Sequence, residues 1–274
     1  MTVPSITLAH GAEIPAIGLG TWPLQGAEGA AAVRTAIEAG YRLIDTAENY
    51  RNEDAVGQGV RDSGVPREEL FLATKFNRQW HSTDGARQAA EASLRRLGVE
   101  YLDLLLIHWP NPDQGTYVQA FEGLLKLLEA GVVRAVGTSN FKPSHLQRVI
   151  DATGTVPDVN QINLNPYATR AATTAFHAEH GIVTESWSPI KPAEMLGDPV
   201  LTRIAEVHQR SAAQVVLRWN VQHGYLPIPK SASPARQREN LAIFDFELTP
   251  EEIAAIDALD RGEAHLADSD RTGH

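Results

Sequence analysis

The chain has 274 residues, 43% of them hydrophobic, and Lys+Arg 24 against Asp+Glu 34 gives a net charge of −10. That content suffices for a sizeable core and excludes intrinsic disorder, while the acidic balance argues against nucleic acid and anionic membranes as partners. Cysteine is absent, which removes disulfides, thiolate nucleophiles and cysteine-ligated metals.

No apolar run approaches the length of a membrane span, and the segment Met-Thr-Val-Pro-Ser at the start lacks the charged and apolar regions of a leader, so a cytoplasmic protein is expected. Residues 5–16 read as a small hairpin with His10-Gly11 at the turn and Pro15 on an exposed edge. Short apolar runs then alternate with longer amphipathic ones. The runs at 16–20, 43–45, 71–75, 102–108, 135–138, 159–162, 182–185 and 225–228 are predicted strands. Helical patterns lie at 29–39, 54–62, 83–97, 117–130, 144–151 and 171–180. Two more, 200–208 and 212–222, fall between the seventh and eighth strands. Thr249-Pro250-Glu251-Glu252 is a capping box with proline at the first helical position, opening a final helix at 250–259. The tail 261–274 is polar and expected to be mobile. Eight strands in βα alternation favour a (β/α)₈ TIM barrel with an N-terminal β-hairpin and additional C-terminal helices, forming one domain over 1–274.

Gly18-Leu19-Gly20-Thr21-Trp22-Pro23 begins like a dinucleotide fingerprint, but proline stands where the third glycine belongs; a tight turn leaving the first strand is the plainer reading. Chemistry in a barrel sits at the C-terminal ends of strands, and three strand ends carry polar groups. Leu43–Asp45 ends in a carboxylate with Tyr50 five residues on, 71–75 ends in Lys75, and 102–108 ends in His108. Taken singly, each has a structural explanation: a salt bridge at the barrel mouth for Asp45 and Lys75, a core histidine beside Trp109 for His108, and a loop aromatic for Tyr50. Together, on neighbouring strands, they point to one polar site. A divalent metal fits less well, because no His-x-His or His-Glu-x-x-His occurs and a lysine opposes a cation.

The four groups suit proton donation to a reduced carbonyl. A free phenol titrates near about pH 10, and an adjacent ammonium favours its anion and so makes it a stronger acid. Asp45 would hold Lys75 charged, and a neutral His108 could donate to the carbonyl oxygen. A second constellation runs from Pro229 to Asn240. Ser233 reads as an N-cap with Pro234 at the first helical position, placing Arg236 in the first turn. Basic residues there oppose the helix dipole unless an anion is bound, so Lys230, Arg236 and the free amides suggest a phosphate. Ser139-Asn140, Gln161 and Trp187-Ser188-Pro189, at three further strand ends, could hold a carboxamide-bearing ring. Trp219 reads as core.

These segments resemble the aldo-keto reductase family, most closely the bacterial 2,5-diketo-D-gluconate reductase group. The resemblance rests on Gly18–Trp22, Leu43–Tyr50, Ala73–Lys75, Leu106–Pro110, Gly137–Phe141, Trp187–Pro189 and Pro229–Asn240, and it runs to about Leu259. It implies NADPH-dependent reduction of aldehydes, ketones or diketo sugars and acids, with Asp45, Tyr50, Lys75 and His108 as a catalytic tetrad and Tyr50 as the acid. NADPH/NADP⁺ would contact Gly20, Thr21, Trp22 and Asp45 at the mouth. Ser139, Asn140 and Gln161 would hold the carboxamide, with Trp187, Ser188 and Pro189 beside the ring. Lys230, Ser231, Arg236, Glu239 and Asn240 would hold the adenosine phosphate end. Trp22, Tyr50, Trp80, His108 and Trp109 would line the substrate pocket. No metal is implied, and the partner would be a small carbonyl compound acted on by a monomer. Tryptophan stands at 187 where many members have tyrosine, and the tail is shorter and more polar than the family's covering loop. An alternative on the same barrel is a non-catalytic NADPH-binding sensor or regulatory subunit.

Overall fold

The computed structural model describes residues 3–273; Met1 and Thr2 of the segment read for a leader, and His274 of the tail, lie outside it. A two-stranded antiparallel hairpin, β1 (Ser5–Thr7) and β2 (Glu13–Pro15), precedes the barrel. The barrel strands are β3 (Gly18–Gly20), β4 (Leu43–Asp45), β5 (Phe71–Phe76), β6 (Leu102–Ile107), β7 (Val133–Ser139), β8 (Val159–Asn163), β9 (Val183–Trp187) and β10 (Leu226–Ile228). All eight pair in parallel in sequence order. The helices α1 (Gly26–Ala39), α2 (Glu53–Asp62), α3 (Thr83–Leu97), α4 (Tyr117–Glu129), α5 (Pro143–Thr153) and α6 (Ala171–His180) connect the strands up to β9. Both α7 (Pro199–His208) and α8 (Ala212–Gln222) intervene before β10, and α9 (Pro234–Leu241) and α10 (Pro250–Asp257) follow it. The expected architecture is therefore present, with ends shifted by a few residues.

Closure depends on one residue. The Gly20 N–H donates to Pro229 O at 3.2 Å, and Gly20 bridges Lys230. A Cβ on Gly20 would stand 2.8 Å from the Ile228 carbonyl oxygen, so only glycine lets the first and last strands approach so closely. The Gly-x-Gly pair thus serves barrel closure.

Strand alternation splits the apolar residues into two layers. One face, with Ile44, Leu72, Leu105 and Val136, packs under helix residues such as Val33, Ala90 and Leu124. The other fills the lumen with Leu43, Phe71, Ala73, Leu104, Leu106, Ala135, Val159, Leu226 and Ile228. Leu8 and Ile14 of the hairpin join that lumen cluster, so the hairpin plugs one end of the barrel. A third cluster gathers α7, α8 and α10 around Trp219, a core residue as expected, whose Nε1 donates to Asp257 Oδ1 at 2.8 Å.

The tail departs from the sequence expectation. Arg261 N donates to Tyr167 O, its guanidinium lies 3.3 Å over the Tyr167 ring, and Glu263 pairs with Arg170. Further on, Asp268 and Asp270 meet Lys142, and Asp270 meets His145. A Cβ on Gly273 would run into the Asn111 side chain, so the tail reaches the loop just beyond His108. Charges 126 and 128 residues apart in sequence hold it there, which no local pattern announces.

Asp158 ties the plug to the sheet. Its fully buried carboxylate accepts from His10 N, His10 Nδ1 and Val136 N, each at 2.9 Å. Asp158→Ala strips the acceptor from one buried and two part-buried donors and is expected to cost about 2–4 kcal/mol in urea unfolding; a loss under about 1 kcal/mol would mean that the hairpin is not anchored there.

Candidate active site

Side chains that alternate inward along the strands put four polar groups among the apolar lumen. Asp45 ends β4, Lys75 is next to last on β5, Gln161 lies on β8 and Glu185 on β9. All four are buried, Lys75 and Glu185 fully. Lys75 Nζ donates to Asp45 Oδ1 at 2.7 Å, to Asp45 Oδ2 at 2.8 Å and to Thr46 O at 2.8 Å. Tyr50 Oη stands 3.5 Å from the same nitrogen. The His108 ring meets the Tyr50 ring edge-on, with centroids 5.8 Å apart. The four residues expected from strand-end chemistry thus lie together.

Burial is the first influence on every charge here. It works against the Lys75 ammonium, but Asp45 and Tyr50 outweigh it and leave the lysine above its usual range, firmly charged. For Asp45, burial raises the carboxyl, while Lys75 opposes first by charge and then by hydrogen bonding. The Tyr50 phenol is pushed up by burial, pulled down by Lys75, and pushed up again by Asp45, with a net rise. This differs from a simple reading in which the lysine alone sets the phenol: desolvation exceeds it. The phenol therefore keeps its proton across the neutral range, as a proton donor must. Transfer to a nascent alkoxide, a far stronger base, remains favourable, and Lys75 is placed to stabilise the phenolate left behind.

The loop that carries Tyr50 is pinned from below. Asn52 accepts from Thr46 Oγ1 at 2.8 Å and donates to Leu24 O at 2.9 Å, joining the loops after β3 and β4. Glu53, buried at the start of α2, accepts from Thr74 Oγ1 at 2.7 Å and from Arg96 Nε at 2.6 Å, which braces β5 beside Lys75. Glu48 accepts from Trp80 Nε1 at 2.8 Å and so draws Trp80 to the Tyr50 loop. Sequence reasoning missed Asn52, Glu53 and Glu185. For the first two, the one signal is a polar pair directly after a candidate catalytic loop.

Beside the tetrad, Gln161 Nε2 donates to Asp45 Oδ1 at 2.9 Å, and Ser139 Oγ donates to Gln161 O at 3.0 Å. Asn140, left-handed with φ 62°, donates to His108 O and Ser139 Oγ and accepts from Trp187 Nε1, each at 3.0 Å. One amide thus fixes the ends of β6, β7 and β9. Ser188 follows in the left-handed region with φ 55°, and Pro189 is buried. Thr21 is buried and donates through Oγ1 to Asp45 O at 2.9 Å. Trp22 is exposed, with Lys191 Nζ 5.9 Å above its ring, whereas Trp109 is buried.

At the end of the β10 loop, Ser233 Oγ caps α9 by accepting from Arg236 N, and Ser231 Oγ accepts from Ser233 N. Lys230 and Arg236 are exposed, and neither meets a carboxylate among the described residues. Glu239 is half-buried, while Asn240 is buried next to Tyr41. The described residues contain no group of three or more His, Cys, Asp or Glu placed to hold a metal ion, and no helix among them is long and apolar enough to cross a membrane.

Comparison with known proteins agrees with this geometry. The model of the aldo/keto reductase family matches residues 16–261. The chain is 48% identical over 269 residues to 2,5-diketo-D-gluconic acid reductase B of a Corynebacterium species, covering 98% of this chain and 97% of that protein. It is similar to the crystal structure of a Gox0644 mutant in complex with NADPH, with a TM-score of 0.94, 42% identity and 99% of each chain covered. A Bombyx mori aldo-keto reductase in complex with NADP gives a TM-score of 0.89 and 36% identity, over 95% of this chain and 94% of that one. The chain belongs to the aldo/keto reductase family and so to the oxidoreductases.

Proposed function

We propose that this protein reduces small carbonyl compounds to alcohols with NADPH, and that Tyr50 is the proton donor. The carrying observation is the phenol 3.5 Å from a buried ammonium that is itself locked to Asp45. NADPH supplies a hydride when bound, and the remaining work falls to the chain. Tyr50 Oη gives its proton to the carbonyl oxygen, Lys75 stabilises the phenolate that results, and His108 orients the oxygen. A non-catalytic sensor has no need of an acid with its activator, so the intact tetrad favours the enzyme.

The residues present fit the cofactor. Gln161 commits its amide nitrogen to Asp45, which leaves Oε1 to accept from a carboxamide N–H, with Ser139 and Asn140 adjacent. Half-buried Trp187, its edge held by Asn140, offers a π face to a nicotinamide ring. Gly20, Thr21, Ser188 and Pro189 would shape the cleft. Lys230, Ser231, Arg236, Glu239 and Asn240, around the capped start of α9, would hold the adenosine end, with the two cations on its phosphate. Trp22, Trp80 and Trp109 would border the substrate. Diketo sugars and acids are the substrate class we favour, because the named Corynebacterium relative is a 2,5-diketo-D-gluconic acid reductase. We read the chain as one domain over 1–274 and a cytoplasmic monomer; among the described residues the exposed large hydrophobic side chains are Trp22 and Val207, too few for an apolar dimer face.

Tyr50→Phe is expected to lower reduction at least about 10²-fold while NADPH still quenches tryptophan fluorescence; near wild-type turnover in that variant would remove Tyr50 as the acid. Arg236→Ala is expected to weaken NADPH about 10–100-fold, from loss of a charge-assisted contact, and to leave NADH nearly unaffected in fluorescence titrations. Equal losses for both cofactors would rule out the 2′-phosphate contact.

A further inference from the structure

One buried ionisable group beside the tetrad has no task in the mechanism above. Glu185 lies on β9, its Cα in register with Gln161 of β8 on one side and Leu226 of β10 on the other. It is 0% exposed, and among the described residues Gln161 is the one side chain that offers its carboxyl group a hydrogen bond. The Gln161 amide nitrogen, with two N–H groups, also donates to Asp45. The charged and titratable groups that face it are Asp45 at the end of β4, Tyr50 on the loop behind, and Lys75 on β5.

A carboxylate buried this deeply beside a second carboxylate is costly, so such a group takes up a proton instead. Burial pushes Glu185 up, the Asp45 charge pushes it further, and Lys75 and Gln161 pull back; the result is about 8. At neutral pH the acid is mostly uncharged, and Lys75 answers to Asp45 alone. Once ionised, Glu185 places a second carboxylate near one ammonium, and the phenolate formed by proton donation becomes a third negative charge around it. Both carboxylates already oppose that anion.

We propose that Glu185 is a positioning residue for the acid chemistry: its neutral form leaves the Lys75 charge available to Tyr50, and its loss of a proton to solvent draws that charge away and slows carbonyl reduction. This rests on Tyr50 being the acid.

A group that must be protonated for the faster rate gives a rate that falls as pH rises through about 8. The test is the single-turnover rate of NADPH oxidation with saturating carbonyl substrate across that range. From about pH 7 to about pH 9 the wild-type rate is expected to drop several-fold, approaching about tenfold. In Glu185→Gln, which keeps shape but cannot ionise, the drop over the same range is expected to stay under about twofold. Superimposable profiles would overturn the proposal. Infrared difference spectra of the wild-type protein between the same pH values provide a readout that needs neither turnover nor a folded variant. Loss of a protonated-carboxyl band with a midpoint near 8 supports the proposal, and absence of that band overturns it. Tyr50→Phe separates the two readings. If it is inactive while the wild-type and Glu185→Gln profiles coincide, only Glu185 is wrong; if it turns over normally, the acid assignment is wrong.

Discussion

A single buried ion pair organises this molecule. Lys75 and Asp45 sit where eight strands converge, and taking both charges out of water costs more than an isolated contact returns. What offsets the cost is complete satisfaction of the ammonium: two carboxylate oxygens and the Thr46 carbonyl lie within 2.8 Å of Nζ. The carboxylate in turn accepts from Gln161, so each charge has directed partners. Such a pair is a weak source of stability but a strong source of position, and position is what a proton donor 3.5 Å away requires.

The rest of the barrel serves that placement in layers. Leucines and valines fill the lumen beneath the pair, and the hairpin stoppers the far end through Leu8 and Ile14. Above it, Asn140 gathers the ends of three strands, and Trp187 hangs from that amide. Glu53 and Asn52 brace from outside, one behind Lys75 and one under Tyr50. The site is therefore held on rigid strands with polar support. Water exclusion follows from the same packing, and it is what lets Lys75, Asp45 and Glu185 act on one phenol.

Much of this was legible in the chain. The tetrad could be read because each member sits at or just past an apolar run, where a polar side chain has no packing reason to be. The caps of α9 and α10 were legible because Ser233-Pro234 and Thr249-Pro250 spell local hydrogen-bond geometry. Glu185 was not. Thr184-Glu185-Ser186 interrupts the apolar pattern of its strand and resembles a polar edge, and only closure of the sheet brings β9 opposite β4. The tail escaped for a related reason, since its tethers at Lys142, His145 and Arg170 lie on loops and helices that adjacency in sequence does not reveal. The turn after Gly20 was legible and is closed by Leu24 N donating to Thr21 O, but the part Gly20 plays in closure was not, because a close approach between the first and last strands leaves no mark in a local motif.

The central claim is that a lysine clamped by an aspartate stabilises the anion that Tyr50 becomes. The most direct measurement is single-turnover reduction by Lys75→Met, which keeps the bulk of the stem and removes the charge. The account gives a fall of about 10²–10⁴-fold with fluorescence-detected NADPH binding retained. A rate within a few-fold of wild type would contradict it.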